Sequence, residues 1–227
     1  MRLSTGLLAA AIALVATPAF AGDTGFYAGV GMGYSKISIN EGKLNNRLDS
    51  IASDFGWSLD KGTVDQNATP YQFVFGYTLI PYLGFEVSWI DMGSADYRGY
   101  LSKVGGTGQG SIKGTWEASG WPISVLGIWP VNDTWSVFGR AGVFVGDVKF
   151  SGKALDSSGN TICIGSDCFK GSTKESSTEF FGGVGVDANF MESWVARFEW
   201  QAMPSLGNDD TGSGNFNNFI FSILYKF

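Results

Sequence analysis

Large apolar and polar side chains alternate along one stretch near the C-terminus, Trp194-Val195-Ala196-Arg197-Phe198-Glu199-Trp200-Gln201. Successive side chains of a β-strand point to opposite faces, so the aromatic rings share one face while Arg197 and Glu199 share the other. A soluble β-sandwich packs such rings in its core and turns the charges to water, whereas a membrane barrel does the reverse. The alternation therefore predicts a β-strand, but not whether its aromatic face is buried in a protein core or turned outward to lipid.

Seven further segments show the same period of two, which gives eight strands in all. The predicted strands are Gly25 to Ser38, Pro70 to Leu79, Leu83 to Asp96, Thr115 to Trp129, Trp135 to Phe150, Ser177 to Ala188, Trp194 to Pro204 and Phe216 to Phe227. Short connections at 80–82, 130–134 and 189–193 alternate with long ones at 39–69, 97–114, 151–176 and 205–215. Outer-membrane barrels have short periplasmic turns and long outer loops. The pattern predicts an all-β, eight-stranded antiparallel up-and-down transmembrane β-barrel with periplasmic termini.

Aromatic residues gather at two levels of the predicted strands. Those beside the short turns are Tyr82, Phe85, Trp129, Trp135, Phe190, Trp194, Tyr225 and Phe227, and those towards the long loops are Tyr34, Tyr71, Trp121 and Trp200. Amphipathic rings sit favourably at the headgroup level of a bilayer, and two such girdles bracket the apolar band of a membrane barrel. Their placement favours the barrel over the sandwich.

The N-terminal residues are typical of a secretory signal peptide. Arg2 supplies a positive start, residues 6–16 form a short apolar run, and Ala19-Phe20-Ala21 matches a cleavage site. We expect residues 1–21 to be removed, leaving 22–227 as one barrel domain in the cell outer membrane of a Gram-negative bacterium. No segment has the roughly 18 consecutive apolar residues that a transmembrane helix needs.

Composition argues against several functional classes. The formal net charge is −6, and the absence of a basic run argues against nucleic-acid binding. The chain has no His, which most outer-membrane enzymes use as a base, so we expect no catalysis. Asp209 and Asp210 are adjacent acids in a polar loop, where such pairs are usually solvated. We therefore expect an enzyme function, a cofactor and a metal site all to be absent.

Cys163 and Cys168 are the only two cysteines of this exported chain. They lie close together in a polar stretch rich in Ser and Gly, so a local disulfide is expected. Zinc would need further ligands. Because the bridge closes a very small loop, its contribution to global stability should be modest.

The first long loop has two open interpretations. Leu44, Leu48, Ile51 and Phe55 follow a three-to-four spacing, which fits a short amphipathic helix near the barrel mouth. A disordered loop explains the same residues equally well.

Several charged residues occupy the strand positions that alternate with the outward aromatic residues, which places them in the lumen. We call this alternation inward parity. The set near the short turns is Glu86, Arg140, Asp187, Arg197 and Glu199, and Glu179 lies higher. An eight-stranded barrel is just wide enough to be filled by side chains, so buried charges there must pair. The network could be a structural plug, which we favour, or a gate whose pairs exchange partners and admit ions. Composition leads us to expect a lumen that is otherwise small or polar.

The last strand resembles the C-terminal signal that the outer-membrane insertion machinery recognises, through Phe219, Phe221, Ile223, Tyr225 and Phe227. With residues 77–89, Phe138-Gly139-Arg140-Ala141-Gly142 and 196–200, the mature chain is similar to the transmembrane domain of the outer membrane protein A-like family. The resemblance implies a lipid-embedded barrel, and related barrels that conduct weakly keep the gate alternative open.

We expect a monomer that has a structural or surface-contact role in the envelope. The alternative is a narrow gated pore for small solutes or ions. Its expected partners are outer-membrane lipid, lipopolysaccharide and the insertion machinery, and the sequence identifies no partner for the loops.

Overall fold

The computed structural model describes residues 24–39, 41–206 and 214–227. The predicted signal peptide and Asp209–Asp210 lie outside these ranges. Within them, no helix is both long and apolar enough to cross a membrane.

One closed antiparallel sheet dominates the molecule. In chain order the elements are β1 (Gly25–Ile39), α1 (Glu41–Asp54), β2 (Trp57–Val64), β3 (Asn67–Ala68), β4 (Tyr71–Ile80), β5 (Leu83–Lys103), β6 (Gln109–Pro130), β7 (Trp135–Asp156), β8 (Cys163–Ile164), β9 (Asp167–Cys168), β10 (Lys170–Asn189), β11 (Trp194–Leu206) and β12 (Gly214–Lys226). The long strands follow the order β12-β11-β10-β7-β6-β5-β4-β1, and pairing of β12 with β1 closes the ring. The predicted eight-stranded antiparallel barrel is confirmed.

The outer face of the barrel carries the aromatic residues. All twelve predicted girdle residues are exposed, from Tyr225 at 37% to Trp129 at 73%. Alternate positions are buried: on β4, the odd-numbered Tyr71, Phe73 and Phe75 are exposed while Gln72 and Val74 are buried. This is the lipid-facing polarity of a membrane barrel, and it excludes the sandwich, which would bury the rings.

Four strands extend well past the upper aromatic girdle. Strands β5, β6, β7 and β10 have 20 to 22 residues each, so the long loops predicted at 97–114 and 151–176 were wrong in extent. Most outward positions of these extensions are polar and resemble loops in sequence. Their inward positions include Leu101, Ile112 and Ala154, which are buried at 1% exposure or less. An apolar partner above the barrel must therefore cover them.

Helix α1 is that partner, so the helical alternative for the first loop is correct. Leu48 is buried, and Leu44 and Phe55 pack at the edge of the same apolar cluster. The buried members of this cluster are Leu48, Ala52, Trp57, Tyr97, Leu101, Ile112, Ala154 and Ile162. We call α1, β2 and the extensions of β5, β6, β7 and β10 the cap. It is a small hydrophobic core that stands above the barrel mouth.

The disulfide lies in the connection from β7 to β10. Cys163 and Cys168 face each other in the two-stranded sheet β8–β9, and their sulfur atoms are bonded at 2.07 Å. Ile162, directly before this hairpin, is buried in the cap core. The disulfide therefore closes a surface hairpin that begins next to the cap core.

The barrel interior is layered, and the expectation of a small or polar lumen was wrong for its upper half. Along β11, inward residues pass from Val195 through Arg197 and Glu199 to Gln201 and then Met203. The apolar layer at the Met203 level consists of Ile37, Ala68, Ile90, Met92, Ala95, Trp116, Ala118, Phe144, Val148, Phe181, Met203, Phe216 and Ile220. Side chains of this size fill the narrow space that an eight-stranded barrel encloses.

Candidate functional site in the barrel lumen

Five predicted charged residues meet in the lower half of the lumen. Glu86 comes from β5, Arg140 from β7, Asp187 from β10, and Arg197 and Glu199 from β11. All five lie at inward positions, and each except Asp187 is at most 4% exposed. Glu179 does not join them: it is half-buried higher on β10, and no ion pair to it is found among the described residues.

Glu86 is the centre of the network. Its two carboxylate oxygens accept hydrogen bonds from the guanidinium groups of Arg140 and Arg197, one oxygen for each. The hydroxyl of Tyr27 donates a third hydrogen bond, at 2.6 Å to Oε1. One buried carboxylate on β5 thus joins a cation from β7 and a cation from β11.

Each arginine also pairs with a second carboxylate in the lumen. Arg140 donates from Nη1 to Oε2 of Glu199 at 2.7 Å. Arg197 donates to Asp187 through both Nε at 2.7 Å and Nη2 at 2.9 Å, which is the bidentate geometry that holds a carboxylate most firmly. Acids and bases therefore alternate in the order Asp187, Arg197, Glu86, Arg140, Glu199.

Neutral side chains that the sequence pattern did not single out complete the network. Gln72 donates to Glu199 at 2.7 Å, Ser124 lies 3.1 Å from Nη2 of Arg140, and the ring of Phe138 lies 4.4 Å from the Arg197 guanidinium. Inward parity was the available signal, because Tyr27 and these residues all occupy inward positions. Parity alone does not predict which of the inward neutral residues contact the charged residues.

Gly76 makes room for Tyr27. The two residues are paired across β4 and β1, and a Cβ atom at position 76 would lie 2.1 Å from the Tyr27 ring. Any larger residue would push the ring away from Glu86. The glycine therefore has a packing role at this site.

A belt of unpaired polar groups lies directly above the ion pairs. Ser35, Asn218 and Gln201 face one another across β1, β12 and β11. Ser35 Oγ, both side-chain polar atoms of Asn218 and Oε1 of Gln201 are buried without a hydrogen-bond partner among the described residues. Buried polar atoms of this kind are normally satisfied by ordered water.

Four of the predicted assembly-signal residues lie on β12, and the fifth, Phe227, directly follows it. Phe219, Phe221, Tyr225 and Phe227 are exposed on the outer face, and Ile223 is half-buried on the same face. The intervening Ile220, Ser222 and Leu224 point into the lumen and are buried. The final strand thus presents a continuous apolar stripe to the outside.

A closed strand ring with an apolar exterior and a buried ion network defines a membrane β-barrel. The family model described as the OmpA-like transmembrane domain matches residues 21–227, and this chain belongs to that family. The family resemblance read from the sequence is confirmed. No curated protein matches the chain.

Several solved structures have a similar chain path. Ail, the attachment invasion locus protein of Yersinia pestis in complex with the heparin analogue sucrose octasulfate, is 15% identical, with a TM-score of 0.47 over 89% of this chain and 99% of that chain. Neisserial surface protein A is 10% identical, with a TM-score of 0.46 over 89% and 97%. The N-terminal β-barrel domain of Pseudomonas aeruginosa OprF is 12% identical, with a TM-score of 0.45 over 91% and 98%.

Proposed function

We propose that this protein is a closed, non-catalytic barrel of the Gram-negative outer membrane that holds its cap at the cell surface for a structural or surface-contact role. In this orientation the short turns face the periplasm and the cap faces outward. The observation that carries the proposal is the apolar layer across the upper lumen. The ion network alone would leave a gate possible.

The apolar layer lies across the upper barrel interior. Along β5 the inward residues run from Glu86 and Ser88 to Ile90 and Met92, and Phe144 enters from β7 at the same level with no exposed surface. An ion that passed the charged layer would then meet hydrocarbon instead of water. Removing its hydration there without a compensating partner is costly, so this layer blocks ions even when the salt bridges exchange.

The cap adds a second closure and is also the surface available for contact. Its core packs α1 against β2 and against the extended strands, which places an ordered, folded surface above the membrane. Loops carried on a rigid scaffold are where binding specificity usually resides. A contact role fits a chain that builds this much ordered structure outside the bilayer.

A narrow gated pore is the second candidate, and the polar belt favours it. Ser35, Gln201 and Asn218 provide buried polar atoms next to the ion pairs, of the kind that ordered water usually satisfies. Glu86 has two arginine partners, so it could keep one while releasing the other. This route reaches the apolar layer, which would then have to move for ions to pass.

Single-channel recording in a planar bilayer separates the two candidates. The proteins are residues 22–227 refolded in detergent, Arg197→Ala, and Phe144→Ala combined with Met203→Ala. The matched control is Val145→Ala, which removes an outward side chain beside Phe144 that is 44% exposed. Heat-modifiable gel migration verifies folding for each protein.

A closed barrel predicts silence for wild type, for Arg197→Ala and for Val145→Ala, and current steps only when the apolar layer is trimmed. Reproducible steps in the wild type that change in Arg197→Ala would establish the gated pore instead. A silent double variant that remains folded would show that the apolar layer is not the barrier.

A further inference from the structure

Four cations form a straight row across the outer wall of the cap. Strand register pairs Arg98 on β5 with Lys113 on β6, Lys113 with Lys153 on β7, and Lys153 with Lys170 on β10. Residues directly opposite each other in an antiparallel pair lie about 5 Å apart at Cβ, so the row spans about 15 Å. We call these four residues the cation row.

The cation row is exposed and forms no ion pair within the described chain, although Asp96 lies beside Arg98. All four side chains are exposed on the outward face, and no ion pair involves any of them among the described residues. Two rows nearer the membrane, Lys149 pairs with Glu117 at 3.5 Å and Lys174 with Asp147 at 2.9 Å. Strands β7 and β10 therefore carry paired cations at one level and unpaired cations two rows above it.

Unpaired like charges at directly opposite positions destabilise a sheet. The chain as a whole is acidic, with a formal net charge of −6, so this band of cations does not follow from its composition. A bound polyanion would convert the repulsion into attraction. The row therefore has the spacing and charge of a binding site for a linear anionic ligand.

The neighbouring outward side chains fit a sugar. Directly below the row lie Asp96, Thr115, Ser151 and Ser172, paired across the same four strands. Three of these four present hydroxyl groups, and Thr115 donates to Asp96 at 3.2 Å. Tyr100 lies directly above Arg98 and is 67% exposed, with Lys61 opposite it on β2. Hydroxyl groups and an exposed ring beside cations suit an anionic oligosaccharide better than a bare ion.

A recess lies between the first two cations. It has a volume of about 370 Å³ and is lined by Asp96, Tyr97, Arg98, Lys113, Gly114 and Thr115. This space is large enough for a sugar unit to sit between Arg98 and Lys113.

We propose that the cation row binds the phosphorylated core oligosaccharide of lipopolysaccharide, an inference that rests on the proposed outer-membrane orientation. Lys113 lies eight residues above the girdle residue Trp121 on β6. At about 3.3 Å per residue on a strand tilted by about 40°, the row stands about 20 Å above the girdle. Phosphates at the membrane surface are too low to reach it. The row also faces sideways along the wall, where neighbouring lipopolysaccharide molecules stand.

The test uses the full refolded protein in detergent with Lys153→Gln combined with Lys170→Gln. Its matched control, Lys149→Gln with Lys174→Gln, removes the same charge from the same two strands. The probes are rough-type lipopolysaccharide with a phosphorylated core, the same material after dephosphorylation, lipid A without a core, and a heparin oligosaccharide. Affinity is measured by fluorescence titration at two salt concentrations.

The proposal predicts that the Lys153/Lys170 variant loses at least about tenfold in affinity for rough-type lipopolysaccharide, since each pair of charge-assisted contacts is worth this much or more. The control pair should lose less than about threefold, and dephosphorylated core should bind wild type as weakly as lipid A does. Equal losses in both variants, or equal binding of lipid A and core, would overturn it. Tight binding of heparin alone would assign the row to an external sulfated glycan.

Failure of the cation row to bind core oligosaccharide would not affect the proposal of a closed barrel, because conductance tests that proposal. If the protein conducts but the row binds core sugar, the proposed closed lumen fails and this inference stands. Heat-modifiable migration of both double variants excludes misfolding as the cause of a loss.

Discussion

Arg140 on β7 donates a hydrogen bond to Glu199 on β11 at 2.7 Å, although β10 separates these strands in the sheet. Both side chains have no exposed surface. The contact therefore crosses the lumen instead of following the wall. Together with the bond from Arg140 to Glu86 on β5, it ties one cation to carboxylates on both sides of the barrel.

Arg140→Ala should destabilise the barrel by about 3 to 5 kcal/mol, because it leaves Glu86 and Glu199 buried with too few partners. The control is Lys149→Ala on the same strand, whose pair with Glu117 is about half exposed. That variant should change stability by less than about 1 kcal/mol. Urea unfolding in detergent, followed by tryptophan fluorescence, measures both. Equal small effects would show that the lumen network does not stabilise the fold.

The sequence predicted the barrel and the five network residues because one physical rule governs both. A strand that separates lipid from lumen must alternate, so parity assigns Arg197 inward and Phe198 outward without further information. Ile90, Met92 and Met203 obey the same rule, since they lie on the inward face of these strands and are buried. The apolar layer that these residues form was not predicted, because a polar interior was expected. Alternation along a strand predicts which face a residue occupies, but not where along the barrel axis the interior changes from polar to apolar.

The cap was harder to predict because its burial depends on a tertiary contact. Leu101 and Ile112 alternate with polar residues as they do in the barrel, but glycines and lysines around them are also typical of loops. They are buried in an apolar cluster to which α1, Trp57 and Ile162 contribute. The cation row was similarly hidden: Lys113 and Lys170 are far apart in sequence and align only through strand register.

Asp49→Ala should loosen the cap without affecting the barrel. Asp49 on α1 accepts a hydrogen bond from the backbone N–H of Leu59 at 2.7 Å, and Asn45 donates to the carbonyl of Gly62 at 3.2 Å. These two side chains bond backbone groups of β2, which pairs with β5 and with no other strand of the described residues. Loss of the Asp49 bond should cost about 1 to 2 kcal/mol locally.

Hydrogen exchange of the Leu59 amide measures this effect, and heat-modifiable migration reports the barrel. Asp54→Ala on the same helix is the control, since Asp54 is exposed and should leave the exchange rate unchanged. An Asp49→Ala protein with unchanged exchange at Leu59 would show that α1 does not protect β2.

The cap should also loosen at alkaline pH. Tyr97 donates to Asn45 at 2.7 Å, and burial, with a smaller effect of the Glu41 carboxylate, raises the pKa of Tyr97 from 10.0 to about 12. A group with a raised folded pKa contributes stability that is full below its unfolded pKa and is lost as the pH rises through its folded pKa. Docking of α1 should therefore weaken between about pH 10 and 12.

Limited proteolysis of α1 across this pH range, with Tyr97→Phe as the comparison, tests the assignment. The variant lacks the titrating hydroxyl, so its cleavage rate should start higher but rise less steeply with pH. The same steepness in both proteins would assign the alkaline loosening to other groups.

Phe227→Ala should impair assembly in the cell more than it affects the folded barrel. The Phe227 ring is 64% exposed and meets Tyr225 edge-on at 5.1 Å, while its backbone N–H donates to the carbonyl of Phe26 at 2.9 Å. The substitution keeps that backbone bond and removes only the ring. Refolding stability in detergent should change by less than about 1 kcal/mol, because the ring has little buried area to lose.

The matched control is Phe26→Ala, which removes a ring that is 59% exposed from the neighbouring strand at the same end of the barrel. If the C-terminal stripe is read by the insertion machinery, outer-membrane levels should fall several-fold for Phe227→Ala and stay near wild type for Phe26→Ala. Equal reductions would mean that any aromatic residue at this end serves, because both rings occupy the same interfacial level. Normal levels of Phe227→Ala would contradict the signal, since the last ring is then dispensable for recognition.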